Sequence, residues 1–286
     1  MSSKVDPEVS VIVTTKNEER NIGACLESVV QQSMPPLEMI VVDNYSEDKT
    51  EKIALEYGSK VFELGPERSA QRNYGVEKAQ GKYILYLDAD MRLSPKVIEK
   101  CVNCCEADAG VSGIYIPEFI VGKGFWINVR RFERSFYDGT VIDAVRFVPK
   151  TAFQQVEGFD LRFTGPEDWD FDKKIRGLGK TVIVDAYLEH DEGDFNLQHY
   201  LNKKNYYSKG FEIYTEKWGK DDADIRKQLS PWYRFVAVFV EKGKFLKLLG
   251  HPILTLGMFY LRFRVGLVYI YSARLLSKNH ISSKTS

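Results

Sequence analysis

The chain has 286 residues, of which 44% are hydrophobic, 28% charged and 13% aromatic, and its formal net charge is zero. This is the composition of a globular protein with a sizeable core, built as one large domain with an appendage or as two small domains. Charge is uneven: residues 231–278 contain eight Lys or Arg and one acid (+7), so the remainder has 32 basic and 39 acidic residues (−7). The acidic bulk argues against nucleic acid as a partner, and the basic tail is predicted to meet something anionic.

The first ninety or so residues alternate between strand and helix patterns. Apolar, β-branched runs of strand length are each followed by a loop and a segment with helical character. This alternation predicts a mostly parallel sheet covered by helices on both faces, with right-handed crossovers. The predicted strands are 9–15, 37–42, 60–64 and 84–87, and the predicted helices are 21–32, 46–57 and 67–79.

Two carboxylates, Asp88 and Asp90, follow the fourth predicted strand. Side chains two residues apart in an extended segment share a face, so both can point beyond the strand end. Such a pair suits Mg²⁺ or Mn²⁺ bound together with substrate phosphates, and the alternative is a simple turn or cap. Ligands of parallel sheets bind at the carboxyl ends of the strands, where Thr14, Thr15 and Asp43 also fall. The sequence therefore predicts a nucleotide site there, without a Gly-rich phosphate loop.

Three segments in this region carry a family resemblance: VSVIVTTKNEE (9–19), IVVDNYSEDKT (40–50) and RSAQRNYGVEKAQGKYILYLDADM (68–91). Their order and spacing resemble the nucleotide-sugar-binding half of family-two glycosyltransferases with the GT-A fold. The resemblance implies a nucleoside diphosphate sugar as donor, with a UDP-sugar favoured, and Mn²⁺ or Mg²⁺ bridging its diphosphate. The sequence differs from the commoner family motif at Lys16 and at Asn44-Tyr45. The identity of the nucleotide base, uridine or guanosine, is therefore left open.

The resemblance also implies individual roles in the donor pocket. The threonines and the glutamate after the first strand would line the base and ribose, and the aspartate ending the second strand would accept a hydrogen bond from the base. Two arginines one helical turn apart can face the same diphosphate, although a solvated helix face is the alternative. The predicted donor-binding residues are Thr14, Thr15, Glu18, Asp43, Arg68, Arg72 and Asp88, and the predicted metal ligands are Asp88, Asp90 and His190.

The segment after Asp90 contains a predicted helix from Ser94 to Asp108 and a predicted strand over 113–120. Residues 122–137 then alternate between basic and aromatic side chains. We interpret this segment as contacting the acceptor or packing beneath the sheet.

The motif Gly-Pro-Glu-Asp-Trp-Asp-Phe at 165–171 places two adjacent carboxylates at the start of a predicted helix. They could simply complement the helix dipole. The resemblance implies instead that one of them is the general base. Inverting sugar transfer needs a carboxylate that removes the proton from the attacking acceptor hydroxyl. Asp168 is assigned as the base, and Glu167 is the substitute candidate.

His190 follows a predicted strand over 181–186. A single histidine is commonly a packed or capping residue. The resemblance implies a histidine near the metal and the phosphates, so His190 is also a candidate ligand.

The cysteines predict no metal or disulfide role. Cys101 and Cys104 form a C-x-x-C pair without a second pair or a nearby histidine, so reduced thiols that pack within a helix are expected. The polar start, Met1 to Glu8, lacks the apolar core of a signal peptide, which favours a cytoplasmic catalytic part.

The tail contains two apolar segments, 231–249 and 252–273, and the second is interrupted by Arg262 and Arg264. Each Arg near the centre of a spanning helix costs about 2.5–3.5 kcal/mol, which disfavours a simple membrane span. A basic amphipathic hairpin in the interface of an anionic membrane fits better. The alternative is a helical subdomain that packs on the sheet or on a partner subunit.

These patterns predict an α/β protein: a GT-A domain over 1–215 (nucleotide-sugar half 1–112, acceptor half 113–215) and a helical region over 216–286. The predicted function is metal-assisted, inverting transfer of a sugar to a lipid-linked or polysaccharide acceptor. The predicted location is the inner face of the cell membrane, reached through 231–278. One alternative is a nucleotidyltransferase, which would need an N-terminal Gly- and Lys-rich phosphate loop. The other is a non-catalytic nucleotide-sugar-binding protein, which would have lost the acidic pairs.

Overall fold

The computed structural model describes residues 8–208 and 210–282, with the side chains of all of these except Ser208, Lys242 and 269–282. The expected absence of a signal peptide therefore concerns residues that lie mostly outside the described ones. The strands are β1 (Val9–Thr15), β2 (Glu38–Asp43), β3 (Lys60–Glu63), β4 (Tyr83–Asp88), β5 (Met91–Leu93), β6 (Val111–Tyr115), β7 (Glu118–Lys123), β8 (Phe147–Pro149), β9 (Lys180–Ile183) and β10 (Leu188–Asp194).

Most of the helices in the first two thirds of the chain fall where strands have just ended, as expected of an alternating α/β chain. A π-helical turn (Tyr233–Ala237) and a 3₁₀ turn (Glu241–Gly243) interrupt the later helical region. The helices are α1 (Ile22–Val30), α2 (Thr50–Glu56), α3 (Arg68–Lys78), α4 (Val97–Ala107), α5 (Phe125–Arg134), α6 (Lys150–Gln155), α7 (Glu167–Arg176), α8 (Leu197–Ser208), α9 (Phe211–Trp218), α10 (Ala223–Leu229), α11 (Val238–Val240), α12 (Phe245–Gly250) and α13 (Pro252–Ser282).

The main sheet has seven strands in the order β3-β2-β1-β4-β8-β6-β9. The four strands from β3 to β4 are parallel to one another, β6 and β9 are parallel, and β8 runs antiparallel to β4 and β6. The predicted mostly parallel sheet is confirmed.

Strand β1 is buried along its whole length because helices cover both faces of this sheet. Val11 and Val13 pack in one cluster with Leu26 of α1, while Ile12, on the opposite face, packs in a second cluster with Val76 of α3. Each fully buried aliphatic side chain contributes about 1.5–3 kcal/mol to folding. The apolar side chains that β1 directs to alternate faces thus pack against helices on both sides of the sheet.

Helix α3 approaches the sheet closely at Gly75, where a Cβ atom would lie 2.5 Å from Cγ2 of Ile12. That contact is too short for any other residue. The close approach brings the arginines of the same helix to the carboxyl ends of β1 and β4.

The predicted single strand over 113–120 is wrong, because Pro117 separates two strands of different sheets. β6 belongs to the main sheet, and β7 belongs to a three-stranded sheet in the order β5-β10-β7. Proline has no N–H to donate to a ladder, and the Pro117 carbonyl instead accepts from the Leu188 N–H at 2.9 Å. Strands β5 and β10 were not predicted, because one has three residues and the other is mostly polar.

Internal contacts divide the chain into two compact units. The first, called the sheet unit below, comprises the chain up to Val121, Tyr137–Leu161 and Glu167–Glu192. The second, called the helical unit, comprises Gly122–Phe136, Arg162–Pro166 and the chain from Gly193 onward. The predicted division near residue 215 stays a prediction.

Within the helical unit, α5 packs on α13, with Gly257 lying against Val129. Arg262 is buried here and forms an ion pair with Glu133 at 3.0 Å. Arg262 still interrupts the apolar run 252–273, as the sequence predicted, and Glu133 compensates its charge inside the unit. In the described part of the chain, no helix combines the length and apolar character needed to cross a membrane.

Candidate active site

The carboxyl ends of β1, β2 and β4 line up as the sequence predicted. Thr14 is in register with Asp88, and Thr15 is in register with Asp43. Between β1 and β2, the buried Gln71 of α3 donates to the carbonyls of Thr15 (3.2 Å) and Val42 (2.7 Å). Because these carbonyls are already bonded, this part of the edge presents mainly side chains to a ligand.

Arg72 lies at the centre of the edge and is fully buried. Its Nη1 donates to Asp168 Oδ1 at 2.7 Å, and its Nη2 donates to Asp88 Oδ1 at 3.0 Å. The guanidinium also lies over the rings of Tyr86 (4.9 Å) and Phe159 (5.1 Å). Arg72 therefore links the end of β4 with the start of α7, two segments that are far apart in the sequence.

Arg68, one turn before Arg72 on α3, extends the same network. Its Nη2 donates to Glu167 Oε1 at 3.1 Å, and its Nη1 lies 3.6 Å from Asp88 Oδ2. Both arginines thus pair with carboxylates, with Arg72 fully buried and the Arg68 side chain 37% exposed, so they do not form a simple solvated helix face. All five residues of this acid-arginine network, Arg68, Arg72, Asp88, Glu167 and Asp168, meet at one point of the sheet unit.

The charges in this network shift several pKa values. Burial would raise the pKa of the Asp88 carboxyl, but Arg72 and Arg68 outweigh it and hold the pKa well below its usual range. For Glu167 the balance is opposite, because burial and the neighbouring Asp168 raise its pKa. Asp88 is therefore ionised at neutral pH, whereas Glu167 takes up a proton more readily than an ordinary glutamate.

Asp90 and His190 form a second cluster at this edge. His190 Nε2 lies 3.2 Å from Asp90 Oδ2, and His190 Nδ1 lies 2.8 Å from Glu118 Oε1. Burial alone would lower the pKa of His190, but the hydrogen bonds to the two carboxylates outweigh it and raise the pKa to about 10. The imidazole is thus cationic at neutral pH in this arrangement.

The donor atoms at this edge fit a divalent cation in part. Oδ1 of Asp90 is buried and has no hydrogen-bond partner among the described residues, as an oxygen reserved for a ligand would be. Both oxygens of Asp88 already face arginines. No group of three or more His, Cys, Asp or Glu in the described ranges is placed to hold a metal. Mg²⁺ and Mn²⁺ can bind through one or two carboxylates plus substrate phosphates, so Asp90 is the strongest candidate ligand.

The loops that follow β1 and β2 are tied to each other. Both oxygens of Asp43 accept from Ser46, and the Ser46 hydroxyl accepts from the Asn17 N–H at 2.7 Å. The Asn17 side chain in turn accepts from the Glu47 N–H at 2.9 Å. Asn17 and Tyr45 both have positive φ, 53° and 51°. Backbone strain of this kind concentrates at functional sites.

The predicted base-pocket residues lie beside these loops. Thr15 Oγ1 is buried without a partner among the described residues. Thr14 Oγ1 donates to Asp88 Oδ1 at 3.1 Å. The Glu18 carboxylate accepts from Asn21, and burial raises its pKa.

Two charged residues of this site were missed by the sequence interpretation. The Arg146 side chain, which is 11% exposed, lies next to β8. Its Nη2 lies 3.4 Å from Glu118 Oε2, and its Nη1 has no hydrogen-bond partner in the described part of the chain. An arginine next to an apolar, strand-like run was the signal that could have found it. Glu118 offered no such signal, because its partners come from distant segments.

The model of a protein family described as glycosyl transferase family 2 matches residues 10–162, which include the strand ends, both arginines and the Asp88–Asp90 pair. The chain belongs to glycosyl transferase family 2. An uncharacterised glycosyltransferase of Rickettsia prowazekii is 34% identical to this family-2 chain over 266 residues, covering 84% of this chain and 82% of that protein.

Other curated relatives are matched over less of their own length. A poly(ribitol-phosphate) beta-glucosyltransferase of Bacillus spizizenii is 24% identical, covering 82% of this chain and 40% of that protein. The chain spans about a third of three further curated relatives, 31%, 30% and 30% of proteins from Rickettsia typhi, Bacillus subtilis and Streptococcus pneumoniae.

Solved structures share the fold of this family-2 chain. The mannosyltransferase PcManGT of Pyrobaculum calidifontis, solved with GDP-Man and Mn²⁺, superposes with a TM-score of 0.58 at 18% identity, covering 97% of this chain and 80% of that one. S. aureus TarS superposes with a TM-score of 0.55 at 18% identity, covering 84% and 45%. The predicted GT-A fold is confirmed.

Proposed function

We propose that this protein is an inverting glycosyltransferase that moves a sugar from a nucleoside diphosphate sugar to a glycan acceptor. The observation that carries the proposal is the acid-arginine network at the carboxyl ends of β1 and β4. There Arg72 joins Asp88 to Asp168. Asp90, between β4 and β5, has a side-chain oxygen without a hydrogen-bond partner among the described residues. Arginines next to ionised carboxylates suit a bound diphosphate with its divalent cation.

Asp168 is the proposed general base. Its side chain is 28% exposed, whereas that of Glu167 is 4% exposed and directed at Arg68. An acceptor hydroxyl can therefore reach Asp168, while its bond to Arg72 Nη1 holds the carboxylate in one orientation. The base removes the proton from the acceptor hydroxyl as that oxygen attacks the anomeric carbon and the bond to the diphosphate breaks. Glu167 remains the substitute candidate.

Arg68 and Arg72 are the proposed cations that receive the diphosphate, and Asp90, with Asp88, is the proposed ligand of Mn²⁺ or Mg²⁺. When bound, the metal would stabilise the negative charge on the departing diphosphate. His190, held by its contacts with Asp90 and Glu118, is proposed to lie close to the negative charge of the departing diphosphate. We propose that the loops after β1 and β2 hold the base and ribose through Thr14, Thr15, Glu18 and Asp43, with a UDP-sugar as the first donor to test.

The acceptor is proposed to be a lipid-linked or polysaccharide precursor at the inner, cytoplasmic face of the cell membrane. Support comes from the tail, where Leu249, Ile253 and Leu256 are 74%, 69% and 72% exposed and 231–278 has a net charge of +7. Apolar side chains among basic ones suit the surface of an anionic bilayer. Arg262 is not available for this surface, because it is paired with Glu133.

The transfer proposal is tested with UDP-, GDP- and dTDP-sugars, with and without Mn²⁺, by following release of the nucleoside diphosphate. We expect metal-dependent release from one donor, and Asp90→Asn is expected to lower it by about 100-fold or more. The matched control is Asp108→Asn, which changes an exposed carboxylate of the same unit. If metal-dependent release of the nucleoside diphosphate survives in Asp90→Asn, Asp90 is not a ligand of the metal.

The same assay separates the alternative functions. Release of pyrophosphate from a nucleoside triphosphate and a sugar phosphate would identify a nucleotidyltransferase. Binding of a nucleotide sugar without any release or transfer would identify a non-catalytic binding protein.

Membrane attachment is tested by flotation with vesicles that contain anionic lipids. The wild-type chain is expected to float, and the pair of changes Leu249→Glu and Leu256→Glu is expected to abolish flotation. Leu161→Glu, at a 61% exposed position of the sheet unit, is the matched control. Flotation that survives both changes would exclude the surface around Leu249 and Leu256 as the site of membrane attachment.

A further inference from the structure

The contact between Asp90 and His190 in the sheet unit continues into two further charged side chains. His190 Nδ1 lies 2.8 Å from Glu118 Oε1, and Glu118 Oε2 lies 3.4 Å from Arg146 Nη2. The exposed fraction rises along this series, from 11% and 9% for Arg146 and Glu118 to 17% and 26% for His190 and Asp90. The four side chains, called the polar row below, thus lead from the interior of the unit to the candidate site.

The backbone of the three-stranded sheet sets the positions of these side chains. The N–H that follows His190 donates to the Asp90 carbonyl at 2.9 Å. Two residues before His190, the Leu188 N–H donates at 2.9 Å to the carbonyl of the residue that precedes Glu118. Main-chain bonds on both sides of His190 therefore bring three members of the polar row onto neighbouring segments.

The polar row and a nearby ion pair lie on opposite faces of β10. Side chains two apart on a strand share a face, so His190 lies on the same face as the fully buried Leu188. Glu189 and Asp191 fall on the other face, where Asp191 Oδ2 lies 2.7 Å from Arg92 Nη2. The strand alternation thus separates the polar row from this second pair.

The polar row engages one oxygen of Asp90 and leaves the other for a ligand. Oδ2 lies 3.2 Å from His190 Nε2, whereas Oδ1 is buried and has no hydrogen-bond partner among the described residues. A network that serves only the fold normally satisfies its buried acceptors. Because the contact at Oδ2 prevents the carboxylate from turning, Oδ1 keeps one direction, as a monodentate ligand of a hard cation requires.

Glu118 controls how firmly His190 can hold Asp90. An imidazole with a contact at one nitrogen can still turn, whereas contacts at both nitrogens define the orientation of the ring. Glu118 supplies the contact at Nδ1, and Arg146 lies against its second oxygen. Loss of the glutamate would therefore release the ring, and through the ring the Asp90 carboxylate.

We propose that Glu118 is a positioning residue for a divalent cation: through His190 it orients Asp90 so that Oδ1 is directed at Mn²⁺ or Mg²⁺. This inference rests on the proposed function, in which Asp90 is a ligand of that cation. It adds a residue that acts on the cation without touching it. Removal of such an outer partner changes metal affinity by about 10- to 100-fold.

The test measures the Mn²⁺ affinity of the full chain with saturating UDP, by electron paramagnetic resonance of the free ion. GDP replaces UDP if it is the nucleotide that the wild type binds. Glu118→Ala should weaken Mn²⁺ binding by about 10- to 100-fold. Equal Mn²⁺ affinities of Glu118→Ala and the wild type would overturn the positioning role.

Two conservative variants separate orientation from charge, and they carry the comparison if Glu118→Ala does not fold. Glu118→Gln keeps an acceptor at the reach of His190 Nδ1 and should recover most of the Mn²⁺ affinity. Glu118→Asp keeps the charge but withdraws the carboxylate by one methylene, so it should recover less than Glu118→Gln does. The opposite order would overturn the role in orientation.

The matched control is Glu189→Ala, because this carboxylate lies on the other face of the same strand as His190. It should change the Mn²⁺ affinity less than about threefold. Affinity for UDP in the presence of EDTA should be the same in Glu118→Ala and the wild type. Equal losses of metal-free UDP binding and Mn²⁺ binding in Glu118→Ala would show a structural role only and overturn the inference.

A double-mutant cycle tests whether Glu118 acts through His190. In a His190→Ala background, the further change Glu118→Ala should alter the Mn²⁺ affinity little, because the side chain through which it acts is already gone. Losses that add in the double variant would contradict this order of action.

Failure of this inference and failure of the proposed function give different results. A wild-type chain that binds neither UDP nor GDP together with Mn²⁺ would remove the donor and metal assignments, and the positioning role with them. Wild-type binding of Mn²⁺ and nucleotide that is unchanged in Glu118→Ala would remove only the positioning role.

Discussion

Arg72 in the sheet unit is fully buried and Lys204 in the helical unit is half-buried, and the charges around the two cations differ in sign. Arg72 has Asp88 and Asp168 within hydrogen-bond distance, and these carboxylates raise its pKa further. Lys204 has like charges around it and a lowered pKa. The comparison teaches that the charges next to a cation decide whether its pKa rises or falls in the folded chain, because burial alone lowers the pKa in both cases.

The strongest test of this contrast is Arg72→Met. It removes both ion pairs of a fully buried guanidinium, so that Asp88 and Asp168 each lose a counter-charge, and the free energy of unfolding should fall by about 3–5 kcal/mol. Urea denaturation measures the change. Lys180→Met, which breaks an exposed pair with Asp108 at 3.1 Å, is the control and should cost less than about 1 kcal/mol. Similar losses in the two variants would show that the Arg72 network does not stabilise the fold.

The next largest effect is expected for Asp168→Asn, measured as sugar transfer. The rate should fall by about 100-fold or more, because asparagine cannot accept the acceptor proton, while nucleotide affinity changes little. Glu167→Gln provides the comparison within the same motif. If Asp168→Asn retains turnover and Glu167→Gln loses it, the base is Glu167.

A smaller loss is expected for Arg262→Met in the helical unit. Glu133 then loses one charged partner but keeps Arg130, so the free energy of unfolding should fall by about 1.5–3 kcal/mol. Arg264→Met, which removes a contact of an incompletely buried guanidinium with the Tyr260 hydroxyl, is the control. An unchanged or raised stability of Arg262→Met would contradict the pairing with Glu133.

The smallest effect concerns pH and Lys204. Its folded pKa is about 7 against an ordinary 10.5, so between these values the unfolded chain binds the proton and the folded chain does not. Stability contributed by this group therefore rises with pH over that window. The charged groups that act on it are Arg130, Arg234 and Lys203, which lower its pKa, and Glu133, which raises it.

Thermal unfolding of wild type and Lys204→Met between about pH 7 and about pH 10 measures this effect. The variant should be the more stable of the two near pH 7, and the difference should shrink as pH rises. A difference that is independent of pH would show that Lys204 has an ordinary pKa in the folded chain.

Much of the sheet unit was predictable because its signals are local. β1 is a continuous apolar run that ends in polar residues, and the parallel arrangement follows from the alternation of strands and helices. The positions of Thr14, Asp43 and Asp88 at one edge then follow from strand ends alone. Arg68 and Arg72 share a helix face, so their common direction was also predictable.

The remainder depends on contacts between distant segments. His190 meets Glu118 because β10 and β7 lie in the same small sheet, and β10 has no apolar pattern that marks it as a strand. Arg262 looked like an interruption of an apolar segment, because its partner Glu133 lies on another helix. Single-residue patterns predict burial poorly when a charge and its counter-charge are folded in together.

The hydrogen bonds that Asn17 forms with Ser46 and Glu47 have a consequence for redesign of the proposed donor pocket. The Ser46 hydroxyl, in the loop after β2, accepts from the Asn17 N–H, and the Asn17 side chain, in the loop after β1, accepts from the Glu47 N–H. Replacing either loop therefore leaves a hydrogen-bonding group of the other loop without its partner. Substitutions at the two positions should therefore be strongly non-additive. A variant with altered base preference will be reached more readily by changing both loops together than by accumulating single replacements in either.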